Sequence, residues 1–278
     1  MRITISKRGT LKKTTAGDDM QRKRVGLALG AGGMRGMAHI GVMQVLEEAG
    51  IPIDLVSGAS VGAFFGAAYA AEMDLYALGE YATWITRRDV LDVPRFFRTN
   101  GLLSGDKFRK LCRLVTNDRS FSETCVPFWC SAVDLDTGET RYLHEGPLSR
   151  AVRASISIPG LLRPVNIGGH AYIDGGTVEE IPIDILRENG ADVVIAVDLS
   201  IGAMFTSDRD NVRRVLFRSL DIMRAAIARL TPKAADVLIR PDVSFMGQIL
   251  PHDAARGIQV GRAAAFAALP AIRCALSL

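Results

Sequence analysis

Hydrophobic positions come first in short unbroken runs and later in rows spaced by three or four. Val25–Leu29 is an apolar run of strand length that ends at a glycine corner, and the pattern after it predicts a helix from Met34 to Ala49. Gly50 stops that helix and Pro52 follows. Ile53–Ser57 reads as a second strand, leading through another glycine corner into an Ala-rich helix that runs to Ala71. A strand–helix–strand–helix order favours a parallel sheet.

The middle of the chain is less regular. Asp74 to Lys110 holds helical pieces broken at Pro94 and Gly101. Pro127–Val133 and Thr140–Leu143 flank the turn "DLDTGE" and read as a hairpin. Ser155 to Val165, "SISIPGLLRPV", carries two prolines and reads as loop, and Ala171–Ile173 is a short strand running into "DGG". Asp192–Val197 and Val237–Arg240 are further strands. Val212, Val215, Leu216, Leu220, Met223, Ile227 and Leu230 recur near a period of 3.6, with Arg213, Arg214, Arg218, Arg224 and Arg229 on the other face of that amphipathic helix. Ala254–Leu269 is a helix of small residues. The expected architecture is a three-layer α/β/α domain around a central, mostly parallel sheet. It spans residues 25–278 as one unit, behind a basic, flexible leader at 1–24.

Composition changes this picture little, but charge placement matters. Hydrophobic residues make up 48% of the 278 positions and charged ones 23%, which suits a soluble α/β chain with a sizeable core. The formal charge of +4 comes from the leader, with eight basic and two acidic residues in 1–24 against 26 basic and 28 acidic in the remainder. A nucleic-acid-binding fold is therefore not implied. The leader has no apolar core of a secretory signal. Cys112, Cys125, Cys130 and Cys274 form no C-x-x-C and are expected as small buried hydrophobes of a reducing compartment. No apolar run reaches the ~18 residues of a membrane span. The expectation is a cytoplasmic protein with at most a peripheral membrane contact.

The candidate chemistry lies at the two glycine corners. Gly58-Ala59-Ser60-Val61-Gly62 fits G-x-S-x-G between an apolar strand and a helix. A nucleophile on so sharp a turn needs neighbours without side chains, and the turn thrusts Oγ outward at a helix N-terminus. The first corner offers Gly30, Gly32 and Gly36, spaced one residue too widely for the dinucleotide fingerprint, and no acidic residue ends the second strand to hold a ribose. An acyl-transfer reading uses both corners. Backbone N–H groups of Gly32, Gly33 and Met34 would form an oxyanion hole beside Ser60, with Gly30, Arg35 and Gly36 supporting the loop.

A serine needs a base. Of His39, His144, His170 and His252, only His252 suits the Ser…Asp…His order of α/β-hydrolases, while His39 is expected to be packed and hydrogen-bonded inside the first helix. Asp174 ends a strand and is followed by Gly175 and Gly176, which leave backbone room beside it. Burial raises a carboxylate's proton affinity, so an aspartate–serine pair is chemically reasonable. Two rival readings are an α/β-hydrolase using His252 and a nucleotide-binding oxidoreductase.

The glycine-rich loop with its arginine, G-x-S-x-G and D-G-G stand in the order of the bacterial patatin-like phospholipase family, which this sequence resembles from Val25 to the C-terminal helix. "SGDKF", "DLDTGE", "ASISIPG" and "IPIDILRENGADVVIAVDL" share that look. The resemblance implies a Ser60–Asp174 dyad without histidine and loop donors at Gly32 and Gly33. It also implies hydrolysis of lipid acyl esters with no metal and no cofactor. Ala31, at a loop position commonly glycine, and Glu180, within "TVEEIPID", depart from the pattern. Ile156, Ile158, Leu161 and Leu162 are candidates to line an acyl channel. Phe96 and Phe97, between Arg95 and Arg98, are candidates for a mobile cover or membrane contact.

Overall fold

The computed structural model describes residues 22–90, 92, 103–200, 235–247 and 253–278, and within 201–234 residues 215, 218–220, 222–223 and 226–227. The elements in chain order are β1 (Val25–Leu29), α1 (Met37–Glu48), β2 (Leu55–Ala59), α2 (Val61–Ala70), α3 (Leu75–Trp84), α4 (Arg87–Val90), α5 (Asp106–Val115), β3 (Phe128–Asp134) and β4 (Thr140–Leu143). There follow α6 (Leu148–Ser155), β5 (Val165–Ile167), β6 (His170–Asp174), α7 (Asp184–Glu188), β7 (Val193–Val197), β8 (Val237–Ile239) and α8 (Ala254–Leu276).

The strands form one eight-stranded sheet whose centre is parallel: β8, β7, β1, β2 and β3 lie in that order, each parallel to the next. Both faces of such a sheet are covered, so its strands are apolar at every position rather than at alternate ones. On one face Leu27, Leu29, Val56, Phe128 and Ile195 join the main core with Ile40 and Met43 of α1, Phe65 of α2 and Ile272 of α8. On the other, Ala28, Leu55, Val194 and Ala196 pack against Ile183, Ile185 and Leu186 around α7.

Helix α1 is buried from Met37 to Leu46 because α8 crosses it at backbone contact. A Cβ on Gly41 would overlap the Ile258 carbonyl, and one on Gly261 would overlap the Ala38 carbonyl. The small residues of α8 thus serve close helix packing. That helix also runs on past its expected end at Leu269, with Pro270 inside it. Ile272 and Leu276 are buried in the core, and their burial offsets the hydrogen bond that proline forfeits.

The pairing of β3 decides where the site forms. Cys130–Val133 pair with β4, so one edge of β3 is taken. Val56–Ala59 of β2 pair with residues 128–131, and Tyr172–Asp174 of β6 pair antiparallel with 132–134. Residues 130–133 already spend their other edge on β4, so β2 and β6 must share the remaining one. They run toward each other along it and meet end to end, Ala59 opposite Ser131 and Asp174 opposite Ala132.

Several expectations need adjusting. Helix α1 starts at Met37, after a 3-10 turn over Gly33–Gly36, and β2 lies at Leu55–Ala59 rather than 53–57. Helices α6 and α7 and strand β5 lie in segments where no element was expected, α7 and β5 being too short to show a period. Arg22, Lys23 and Arg24, expected at the end of the leader, are tied down: Arg22 pairs with Asp54, Lys23 Nζ donates to the Ala275 carbonyl at 2.7 Å, and the Arg24 N–H donates to Asp192 at 2.7 Å. The rest of the leader lies outside the described residues. Cys112 and Cys130 are buried, but Cys125 and Cys274 are exposed, the latter on the outer side of α8; all four are free thiols. The described residues between 215 and 227 are helical, yet Val215 and Met223 of the expected buried stripe stand half exposed, with no described element over them. Among the described residues no helix is long and apolar enough to cross a membrane.

Candidate active site

Strand β2 delivers Ser60 to α2 through a backbone that few side chains tolerate. Ser60 has φ 53° and ψ −122°, a conformation costing on the order of 1–3 kcal/mol for a residue with a Cβ. The turn closes only because its flanks lack side chains: a Cβ on Gly58 would overlap the Gly62 carbonyl, and one on Gly62 would overlap that of Leu29 at the end of β1. The Ser60 N–H is held by Ser155 Oγ at 2.8 Å, and the first turn of α2 begins at the next residue.

Strand β6 brings Asp174 to the same point. Its Oδ2 accepts a 2.8 Å hydrogen bond from Ser60 Oγ, its Oδ1 accepts one from the Gly176 N–H at 2.8 Å, and the residue is 1% exposed. The Asp174 N–H donates in turn to the Ser157 carbonyl at 3.0 Å. A Cβ on Gly176 would lie 2.6 Å from Ala31 Cβ and 3.9 Å from Ser60 Cβ, so this glycine is where the ends of β1, β2 and β6 converge. Gly175 packs as tightly on Ser131. Ala31, the departure noted in the loop, fits because it faces that glycine.

The first glycine loop is pinned at its base and open at its tip. Gly30 donates to the Val197 carbonyl at 3.0 Å and Ala31 to the Glu180 carbonyl at 2.9 Å, so Glu180 supports the loop through its backbone. The N–H groups of Gly32, Gly33 and Met34 find no acceptor among the described residues. Gly36 abuts Val61, the residue after the serine, which sets the loop against the start of α2. Arg35 is buried, with long donor contacts to the carbonyls of Leu199 (3.5 Å) and Met246 (3.4 Å), so it braces the loop from behind.

None of the described histidines approaches the serine–carboxylate pair. His144 bonds the Tyr142 carbonyl, and His170 lies 2.9 Å from Asp134. His252 is outside the described residues. His39 is wholly buried with Nε2 2.8 Å from the Gly30 carbonyl oxygen, so the tautomer protonated at Nε2 donates to the loop. Burial pushes its pKa down to about 4, against the opposing pull of the Gly30 carbonyl. The unfolded chain titrates near 6.5, so above that pH His39 is neutral in both states. Below it the unfolded state takes up the proton first, and stability falls by roughly 3 kcal/mol as pH drops toward 4. Urea unfolding at pH 7 and 4.5 should show a clearly smaller acid loss in His39→Gln than in the unmodified chain. Equal losses would remove His39 from the acid response.

Two features escaped the sequence reading. Ser155 and Ser157 hold the backbones of Ser60 and Asp174, and the only signal was a pair of serines two apart in a proline-bounded turn. The apolar space beside the serine is a narrow cleft of about 30 Å³ lined by Met34, Val61, Phe64, Phe65, Tyr81 and Phe108, among others. Ile156, Ile158, Leu161 and Leu162 do not line it; Ile156 and Leu162 are core residues. Phe96 and Phe97 lie outside the described residues. Away from the site, Asp134, Asp136 and His170 are the one grouping of metal-ligating side chains among the described residues, and two of the three are exposed.

Comparison with known proteins gives concordant results. A family model described as "Patatin-like phospholipase" matches residues 27–187. Patatin-like phospholipase domain-containing protein 6 of Homo sapiens is 37% identical over 183 residues, 63% of this chain and 13% of the relative. Lysophospholipase nte1 of Aspergillus fumigatus is 33% identical over 216 residues, 76% of this chain and 14% of the relative. The chain thus spans less than a fifth of the length of these relatives. Among solved structures, VipD from Legionella pneumophila aligns with a TM-score of 0.61 at 14% identity, covering 90% of this chain and 67% of that one. The type III effector protein ExoU aligns with a TM-score of 0.52 at 13% identity, covering 91% and 53%. At these identities the alignments speak for the fold.

Proposed function

Because the chain belongs to the patatin-like phospholipase family, we propose that it hydrolyses carboxylic esters of lipids, with Ser60 as nucleophile and Asp174 as its base. The observation that carries this reading is the 2.8 Å bond from Ser60 Oγ to Asp174 Oδ2 at a left-handed elbow. Ser60 Oγ attacks the ester carbonyl as its proton passes to Asp174 Oδ2. The carbonyl oxygen gathers negative charge and is met by N–H groups of Gly32, Gly33 and Met34 and by the N-terminus of α2. These donors are fixed before substrate arrives, so no reorganisation is needed as the charge develops. Asp174 then returns the proton to the departing alcohol, leaving an acyl group on Ser60. Water, losing its proton to the same carboxylate, releases the fatty acid and restores the serine.

The apolar cleft receives the acyl chain in this reading. It begins at Met34 and Val61, which flank the oxyanion donors and the nucleophile, and its walls are Phe64, Phe65, Tyr81 and Phe108. At about 30 Å³ it is too narrow for an acyl chain, so side chains must part to admit one. Trp84, 75% exposed on α3 near the cleft residues Tyr81 and Ile85, suits a peripheral contact with a lipid surface. Phospholipids, lysophospholipids and neutral lipid esters are the substrate class.

A fluorophosphonate probe tests the assignment before any lipid is chosen. Incubated with the unmodified chain, it should form an adduct that mass spectrometry maps to the peptide containing Ser60, and Ser60→Ala should form none. An adduct on another serine, or equal labelling of both proteins, would overturn the reading.

A further inference from the structure

Between α5, α6 and β5 lies an open cavity of about 430 Å³ lined by Arg109, Arg150, Arg153 and Arg163 with Ser104 and Asp106. Four guanidinium groups thus face a single carboxylate. Among the described residues none of the four forms an ion pair, since their hydrogen bonds go to neutral acceptors. Arg153, 4% exposed, donates to Ser157 Oγ (2.6 Å) and to the carbonyls of Ser104 (2.6 Å) and Arg163 (3.0 Å). Arg150 donates to the Asn166 carbonyl at 2.7 Å. The Arg163 Nε is buried and has no partner among the described residues. Asp92, which lies nearby, is engaged by the N–H groups of Gly105, Asp106 and Lys107 and by the Ser104 hydroxyl.

The cavity is built for its charge. Gly105, with φ 75°, sits so close to Arg153 that a Cβ would overlap the guanidinium, which gives "SGDKF" a physical reason. Burial is the largest influence on Arg153 and disfavours its charged form; the Asp106 and Asp92 carboxylates act against it, and the Arg109 charge adds to it. Neutral carbonyls satisfy donors without balancing charge, and four guanidinium groups against Asp106 and the nearby Asp92 leave an excess of positive charge that is costly in a recess without a counter-ion. Arginine forks match the oxygens of a phosphate group, whose double charge answers such a cluster.

We propose that this cavity binds a phosphate-bearing anion, a phosphomonoester dianion held by Arg109, Arg150, Arg153 and Arg163. Occupancy is also felt at the serine–aspartate pair. Arg153 holds Ser157 Oγ, Ser157 O takes the Asp174 N–H, and Ser155 Oγ takes the Ser60 N–H, all within one five-residue stretch. The anion comes either from the headgroup of an acidic lipid or from a soluble phosphate. The inference stands apart from the hydrolytic reading, because binding can be measured in Ser60→Ala.

The test uses the full Ser60→Ala chain. Its thermal unfolding is followed against inorganic phosphate, with chloride at matched ionic strength as control. Flotation is measured with phosphatidylcholine vesicles with and without phosphatidic acid. Phosphate should raise Tm saturably where chloride does not, and amide exchange of peptides covering 56–64 and 170–176 should slow with it. Adding Arg109→Glu and Arg150→Glu, both at exposed positions, should weaken binding by about tenfold or more. A Tm shift without vesicle binding identifies a soluble ligand. Arginine-dependent binding to phosphatidic acid vesicles without a Tm shift identifies a headgroup. No response in either arm, or an equal response in the double glutamate variant, overturns the proposal, and unchanged exchange with phosphate bound overturns its link to the site.

Discussion

Ser60→Ala is expected to lower kcat on a soluble short-chain ester by on the order of 10⁵-fold, with KM little changed. The substitution removes the atom assigned to attack: Oγ, 2.8 Å from Asp174 on a turn held open by Gly58 and Gly62. What remains is binding and the oxyanion donors, which sustain a small residual rate. Folding should survive. The Ser60 N–H keeps its bond to Ser155, and losing the hydrogen bond from Ser60 Oγ to Asp174 costs about 1–3 kcal/mol. Initial rates on a chromogenic ester, alongside urea unfolding, settle the matter. A variant that folds and retains more than about a hundredth of the rate would mean that another group attacks.

Asp174→Asn is expected to cost about 10⁴-fold in kcat while sparing the fold. Asparagine keeps an oxygen for the Gly176 N–H, so the turn after β6 persists. Facing Ser60, however, it presents an amide that donates rather than an oxygen that can accept the serine proton. The serine is then properly placed but not activated. Fluorophosphonate labelling should slow in parallel, because it depends on the same proton transfer. A rate within tenfold of the unmodified protein would show that Asp174 only positions the serine, and the base would have to be sought elsewhere.

The local geometry of the candidate site was legible in the sequence. An apolar run, a small residue on each side of Ser60 and a helical pattern after it describe a sharp corner whatever the rest of the chain does, and "DGG" marked the end of β6. The pairing that brings these two ends together was not legible. It depends on β6 returning antiparallel to β3 along the stretch of the shared edge that β2 does not reach, and no window of sequence contains 60, 131 and 174. Short elements were hidden for a related reason, since the three residues of β5 and the five of α7 are held by neighbours rather than by a pattern of their own. The last helix runs past its expected end at Leu269 and through Pro270 because burial of Ile272 outweighs the proline's local preference. The apolar cleft beside the serine was not anticipated because Phe64, Phe65 and Phe108 read as ordinary core until Met34 and Val61 are set beside them.

The shared edge of β3 bears on how such a chain can change. Ser60 and Asp174 both take their position from one seven-residue ruler, backed by Ser155 and Ser157, and the chain between residues 71 and 127 and between 135 and 147 is not part of the measurement. Inserts or exchanges in those stretches can reshape the approach to Ser60 while the Ser60 and Asp174 side chains stay aligned. A deletion within β3 itself would shift one strand end relative to the other and turn alternate side chains to the opposite face. Tolerance to length variation should therefore stop abruptly at Phe128, resume after Asp134 and end again at Leu148, where the helix that carries Ser155 begins.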